Sequence, residues 1–164
     1  MKIIAVIPAR LNSTRLPNKL LRDIYGKTLI RRTYEATKNS SLFDDVLVVT
    51  NSEEILKELK NNQIKFLFDK NQYETGTDRI AGVASDINAD IIINVQGDEP
   101  FINAKTIKLI INVFKNDFDK SVGIVSVMTP ISDDLELNNP NHVKVITDKA
   151  NNAIYFSRYP IPFK

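Results

Sequence analysis

Two short segments, each directly after an apolar run, carry the residue types that could do chemistry. The first, the cationic loop, spans residues 8–19 and holds Arg10, Arg15 and Lys19 among small hydroxyl residues. Guanidinium and ammonium groups, together with backbone N–H groups, can hold a compact polyanion such as a triphosphate without a glycine-rich loop. We therefore predict that this loop binds phosphate.

The second segment, the aspartate segment, spans residues 94–100 and has the sequence Asn-Val-Gln-Gly-Asp-Glu-Pro. It places Asp98 just beyond a predicted buried strand. A carboxylate is a hard oxygen ligand, and Mg²⁺ is often held by only one or two carboxylates together with substrate phosphates. Asp98 is therefore the predicted metal ligand, whereas Glu99 is equally well explained as an orienting or structural acid.

The positions of the glycines exclude two other nucleotide-binding motifs. Gly26-Lys27-Thr28 has the ending of a P-loop, but the first glycine of that motif would fall at position 21, which is Leu21. The glycines at 26, 76, 82, 97 and 123 also leave no G-x-G-x-x-G fingerprint. The sequence thus argues against a P-loop NTPase and against a dinucleotide-binding dehydrogenase.

Composition favours an ordinary globular protein. The chain has 164 residues, of which 43% are hydrophobic and 26% charged, and we expect one domain over residues 1–164. The lack of cysteine excludes disulfides and thiolate metal sites. No apolar stretch is long enough for a membrane span, and the N-terminus lacks a cleavage-site pattern, so we expect a cytoplasmic protein.

Charge is distributed unevenly along the chain, although the net charge is only +2. Residues 1–32 hold eight basic side chains against one acid, whereas the rest of the chain holds 14 basic and 19 acidic side chains. This distribution favours a compact anion as the ligand over a nucleic acid.

Apolar runs of strand length, rich in isoleucine and valine, recur along the chain. They lie at 3–7, 46–49, 64–68, 91–95, 122–128, 143–147 and 153–157. Most are near-continuous, which is typical of strands covered on both faces, and helical spacing between several of the first five predicts a strand-helix order. We therefore predict an α/β fold, doubly wound, with a mostly parallel or mixed sheet and helices on both faces. Both segments with candidate chemistry follow strand ends, where such sheets bind ligands.

Several helices and one hairpin are predicted in more detail. Asn103 is a good N-cap for a helix with apolar residues at helical spacing, namely Ile107, Ile110, Ile111 and Phe114. Asn51 followed by Glu54 resembles a capping box for a second helix. A third helix has an inward face of Ile80, Val83, Ala84 and Ile87. The last two apolar runs, on either side of residues 148–152, predict a hairpin.

Three further segments follow in a characteristic order, and together with the first two they carry a resemblance to a known family. They are Tyr-Glu-Thr-Gly-Thr-Asp-Arg at 73–79, Asn-Pro-Asn-His-Val-Lys-Val at 139–145 and Ala-Ile-Tyr-Phe-Ser-Arg at 153–158. Over nearly its whole length the chain resembles the CMP-KDO synthetases, the 3-deoxy-manno-octulosonate cytidylyltransferases. The resemblance implies a nucleotide-diphospho-sugar transferase-like fold. Family members continue beyond the position of Lys164, with a second magnesium aspartate, sugar-binding residues and much of a dimer interface.

The resemblance also implies roles for particular residues, with Lys19, Arg10 and Asp98 as the catalytic set. The implied nucleotide-binding residues are Ala9, Arg10, Ser13, Arg15, Lys19, Thr75, Gly76, Thr77 and Arg79; the sugar-binding residues are Gln96 and Arg158; the metal ligand is Asp98. Simpler alternatives remain for some of these residues. Thr75 or Thr77 could cap the following helix, Arg79 could pair with Asp78 or another surface acid, and Arg158 could form a structural ion pair.

The function implied by the resemblance is Mg²⁺-dependent transfer of CMP from CTP to 3-deoxy-D-manno-octulosonate (KDO) for lipopolysaccharide biosynthesis. A homodimer is implied for the full-length form, and no nucleic-acid partner is expected. Two alternatives stay open: another acidic sugar as acceptor, such as 8-amino-KDO or a sialic-acid-like nonulosonate, or a CTP-binding fragment without turnover. His142, the lone histidine, is assigned no role.

Overall fold

The computed structural model describes residues 1–11 and 16–162, which fall into two compact units, Met1–Leu109 and Ile110–Lys164. The single domain expected over residues 1–164 stays a prediction. The strands are β1 (Ile3–Ala9), β2 (Asp23–Ile24), β3 (Lys27–Thr28), β4 (Asp45–Thr50), β5 (Phe66–Phe68), β6 (Ile91–Asn94), β7 (Lys144–Thr147) and β8 (Ala153–Ser157). The helices are α1 (Leu29–Asn39), α2 (Glu53–Asn61), α3 (Gly76–Val83), α4 (Ala104–Asn116) and α5 (Asp134–Asn138).

The first unit is built on a parallel sheet with the strand order β5-β4-β1-β6. Every residue of β1 is buried, as its continuous apolar sequence predicts for a central strand. On one face, Ile4 and Val6 pack with Ile80 and Val83 of α3. Their neighbours in β1 point to the other face and are equally buried, and α1 packs against β1 and β4. The predicted fold class is therefore confirmed.

The strand order places a topological switch between β1 and β6. From β1 the chain first adds β4 and β5 on one side and then places β6 on the other. Crossover connections on the two sides of such a switch leave a crevice at the carboxyl ends of the strands, where open α/β sheets bind ligands. Both segments predicted to do chemistry lie at this edge, because β1 ends at Ala9 within the cationic loop and β6 ends at Asn94, the first residue of the aspartate segment.

The sequence predicts two N-cap residues; the structure confirms one of them and places the other cap one residue later. The Asn103 side chain accepts from the N–H groups of Lys105 and Thr106, which confirms it as the cap of α4. The capping-box interpretation of Asn51 is wrong, because α2 begins after Ser52, whose hydroxyl accepts from Ile55 N–H. A shorter side chain one residue closer to the helix reaches the unpaired N–H groups directly.

The second unit contains the predicted hairpin, which β7 and β8 form as an antiparallel pair. The strand predicted at residues 122–128 is wrong, since the described structure there is irregular and Ile124 is 90% exposed. Apolar residues alone do not make a strand where no neighbouring strand accepts their backbone hydrogen bonds. Among the described residues, no helix has the length and apolar character to cross a membrane.

Candidate active site

The aspartate segment contacts the first residues of the cationic loop at the edge of the sheet. Val95 N–H donates to the Val6 carbonyl oxygen at 3.0 Å, which extends the β1–β6 pairing past the end of β6. A Cβ at Gly97 would lie 3.1 Å from the carbonyl oxygen of Pro8 and 3.3 Å from Leu20. Glycine at 97 therefore allows the two segments to lie against each other.

The meeting of these segments places Lys19 beside Asp98. The Lys19 Nζ lies 2.5 Å from Asp98 Oδ2, and the two side chains are 40% and 42% exposed. Lys19 begins a 3₁₀ turn, Lys19–Leu21, which is anchored by buried Leu20 and preceded by Asn18 in the left-handed conformation at φ 54°. Lys19, predicted to bind phosphate, and Asp98, predicted to bind the metal, are thus neighbours that are accessible to solvent.

Arg10 connects the cationic loop to the segment at residues 73–79. Its Nη1 donates to the Glu74 carbonyl oxygen at 3.0 Å, and its side chain is exposed. A Cβ at Gly76 would lie 3.0 Å from Pro8 and 4.0 Å from the Gln96 side-chain oxygen. Residues from all three predicted segments therefore meet at one edge of the sheet.

The polar side chains at the start of α3 divide into two groups. Thr75 and Asp78 form a reciprocal capping box, in which the Thr75 hydroxyl accepts from Asp78 N–H and donates to Asp78 Oδ2. Thr77 instead belongs to a chain of side chains: Asn94 Nδ2 donates to the Thr77 hydroxyl at 3.4 Å, and Gln96 Nε2 donates to Asn94 Oδ1 at 3.0 Å. Thr75 therefore caps α3, as the simpler alternative proposes. Thr77 and Gln96 are linked by their hydrogen bonds to Asn94.

Arg79 is a buried cation with an unused donor. It is 3% exposed, and its Nη1 has no hydrogen-bond partner in the described part of the chain. Burial lowers the pKa of Arg79, the charge of Asp69 acts in the opposite direction, and the nearby Arg10 lowers it further. An unsatisfied buried guanidinium N–H is costly, so Arg79 can donate a hydrogen bond to a ligand oxygen or nitrogen.

The remaining predicted residues are placed as follows. Ser13 and Arg15 lie outside the described residues. Ala9 ends β1 and is buried, which leaves its backbone as the group it can offer. Arg158 lies in the second unit, where its Nη1 donates to the Pro140 carbonyl oxygen at 2.9 Å, so its sugar-binding role stays a prediction. Glu99 is exposed and its N–H closes a turn onto Gln96.

Thr33 is a functional neighbour that sequence reasoning missed. This fully buried residue of α1 donates its hydroxyl to the carbonyl oxygen of Gly97 at 2.9 Å, and it thereby ties the aspartate segment to the core of the first unit. The predictive signal was weak, since a threonine in a helix is more often bonded to its own turn, as Thr33 also is to Leu29.

Thr33→Val is expected to lower the free energy of unfolding by about 1–3 kcal/mol, because the buried Gly97 carbonyl loses its donor. Thr37→Val is the matched control: its hydroxyl donates only within α1, to the Thr33 carbonyl oxygen, which the helix already satisfies. Urea unfolding of both variants checks the difference. Equal losses of stability would show that the Gly97 contact contributes nothing of its own.

The residues present fit Mg²⁺ only if water and substrate phosphates supply most of its ligands. In the described part of the chain, no group of three or more His, Cys, Asp or Glu side chains could enclose a metal ion. Asp98 supplies one half-exposed carboxylate next to the cations. Such a donor set suits an ion that takes most of its ligands from water and substrate phosphates.

The chain is similar in sequence to known proteins. A family model described as Cytidylyltransferase matches residues 4–164. The 3-deoxy-manno-octulosonate cytidylyltransferase of Flavobacterium johnsoniae is 50% identical over 163 residues, which are 99% of this chain and 67% of that protein. The enzyme of the same name from Christiangramia forsetii is 45% identical, over 99% of this chain and 66% of its own length.

Solved structures give the same relationship. A CMP:2-keto-3-deoxy-manno-octonic acid synthetase in complex with CTP superposes with a TM-score of 0.84 at 33% identity, over 99% of this chain and 66% of that one. A cytidylyltransferase from Leptospira borgpetersenii superposes with a TM-score of 0.61 at 28% identity, over 72% of this chain and 51% of that one. The chain thus spans about two thirds of the length of the curated relatives that it matches.

Proposed function

The chain belongs to the cytidylyltransferase family, and on that premise we propose that it transfers CMP from CTP to 3-deoxy-D-manno-octulosonate, giving CMP-KDO and pyrophosphate. One observation carries the proposal: Lys19, Arg10 and Asp98 gather at the switch point between β1 and β6. Cations and a metal-type carboxylate at one edge suit nucleotidyl transfer, in which phosphate charge must be neutralised.

In this reaction the protein mainly has to position the two substrates and neutralise phosphate charge. The anomeric hydroxyl oxygen of the sugar bonds to the α-phosphorus of CTP, the bond from that phosphorus to the bridging oxygen breaks, and the hydroxyl proton passes to solvent. Arg10 and Lys19 neutralise the triphosphate and the departing pyrophosphate. Asp98 would hold Mg²⁺, which supplies positive charge to phosphate oxygens when bound.

The nucleotide and sugar are assigned to different parts of the edge. Arg79, with its unused donor, lies beside Arg10 and is proposed to meet the nucleobase. Gln96, which lies in the aspartate segment and donates to Asn94, is proposed to contact the acidic sugar, while Thr77, which accepts from Asn94, stays a proposed nucleotide contact. A homodimer of the full-length form and a cytoplasmic location stay predictions.

Pyrophosphate release from CTP and Mg²⁺, with and without KDO, tests the proposal on the 164-residue chain. Release that depends on KDO is the expected result, and competition with 8-amino-KDO or a sialic-acid-like nonulosonate would then identify the preferred acidic sugar. CTP binding without release would instead favour a second function, that of a nucleotide-binding part without turnover. The two-thirds coverage of its relatives is the observation that favours this second candidate.

A further inference from the structure

The ring of Tyr73 lies between an acid, a cation and a glycine. The Tyr73 hydroxyl donates to Asp69 Oδ2 at 2.6 Å. The Arg79 guanidinium carbon lies 5.5 Å from the centroid of the ring, within the range of a cation–π contact. A Cβ at Gly82 would fall 2.0 Å from the Tyr73 hydroxyl oxygen, so the ring occupies the space that a side chain on α3 would need.

Gly82 and Arg79 are three residues apart on α3, and residues at this spacing share one side of a helix. Because Gly82 has no side chain, the Tyr73 ring can pack against α3 at this position and contact the Arg79 guanidinium. The hydroxyl bond to Asp69 fixes the far end of the ring. The same bond lowers the pKa of Asp69 and raises the pKa of Tyr73. The pair is then a carboxylate and a neutral phenol at neutral pH.

We propose that Tyr73 is a positioning residue, held by Asp69 and by the bare backbone of Gly82, which fixes the Arg79 guanidinium for the nucleobase. The inference rests on the proposed function and names the specificity determinant of that site. Cytosine presents two adjacent acceptors, O2 and N3, whereas uracil presents an N3–H donor beside O2. A guanidinium held in one orientation with a free N–H favours cytosine, and a loose guanidinium discriminates less.

Binding of CTP and of UTP to the 164-residue chain, measured by calorimetry, tests the proposal. Tyr73→Leu is expected to weaken CTP binding about tenfold, the worth of a desolvated cation–π contact, with little change for UTP. Gly82→Ala keeps the tyrosine but takes its space, and should reproduce the loss of discrimination. Tyr34→Leu, which removes a buried ring beneath Lys38 elsewhere in the unit, is the matched control and should leave the CTP to UTP ratio unchanged.

Two further measurements separate positioning from a merely structural role. In an Arg79→Lys background, Tyr73→Leu should have no further effect on the CTP to UTP ratio, because the group on which it acts is gone. Additive losses would overturn the proposal. In the nucleotide-free protein, the Nε–Hε NMR signal of Arg79 should be sharp in the wild type and lost in Tyr73→Leu, while Tyr73→Phe, which keeps the ring but loses the bond to Asp69, should give a broadened signal between the two.

The outcomes distinguish this inference from the proposed function. A wild-type chain that binds no CTP overturns the proposed function, and the NMR signal alone then decides whether Tyr73 fixes Arg79. A chain that binds CTP but keeps its Arg79 signal and its nucleotide preference in Tyr73→Leu overturns the positioning role and leaves the proposed function standing.

Discussion

Asp98→Asn is expected to lower KDO-dependent pyrophosphate release by about a thousandfold at saturating Mg²⁺. The substitution keeps the shape of the side chain but removes its charge, and a bound metal contributes several kcal/mol of transition-state stabilisation, at about 1.4 kcal/mol for each factor of ten. The fold should survive, because Asp98 and Lys19 are both about 40% exposed and such surface pairs stabilise a protein by about 0–1 kcal/mol.

The adjacent acid provides the control for this variant. Glu99→Gln removes the same charge one residue away, and because Glu99 is exposed and contributes its N–H to a turn, we expect turnover to change by only about twofold, as for an ordinary surface substitution. A chain that binds CTP without turnover allows the same comparison through the Mg²⁺-dependent part of CTP affinity. Equal effects of the two variants would refute the assignment of the metal to Asp98.

The part of the fold that positions this site could be predicted because burial on both faces of a strand leaves a strong sequence pattern. Every residue of β1 is buried, and its uninterrupted apolar run shows it. The run at 122–128 has a similar composition, but in the described part of the chain no strand pairs with it, and Ile124 is exposed. Local composition cannot distinguish these cases, because pairing depends on residues far along the chain.

The same distinction applies to the site. Arg10, Lys19 and Asp98 could be selected because their residue types suit phosphates and a metal, and the strand ends before them predict that they share an edge. Thr33 and Tyr73 have residue types that suggest no such role, and their contacts with Gly97 and Arg79 form only in the folded chain. Gly82 was the available signal for Tyr73, since a glycine inside a helical pattern often marks a close approach.

The pair formed by Lys19 and Asp98 indicates a competition between two ligands. The Lys19 ammonium lies against the Asp98 carboxylate, to which we propose the metal binds. A triphosphate offers Lys19 several anionic oxygens, and once Lys19 turns to them Asp98 is released for a cation. Metal binding at Asp98 should therefore depend on nucleotide binding, with Lys19 as the link.

Lys19→Met is expected to weaken nucleotide binding and to strengthen metal binding. CTP binding should weaken about a hundredfold, because a charge-assisted hydrogen bond to phosphate is worth about 1.5–3 kcal/mol. Mn²⁺ binding by the nucleotide-free variant, followed by electron paramagnetic resonance, should become several times tighter, since the ammonium no longer competes for Asp98.

Arg22→Met provides the control for charge alone, because it removes an exposed cation three residues farther along the chain. A general loss of positive charge would make both variants bind Mn²⁺ slightly better and CTP slightly worse through long-range fields that salt screens. If Lys19 specifically competes with the metal for Asp98, the large changes in Mn²⁺ and CTP affinity should occur only in Lys19→Met and should persist at high salt. Mn²⁺ binding that does not improve in Lys19→Met would mean that Lys19 does not compete for Asp98 in solution, and metal entry would then have to be explained without it.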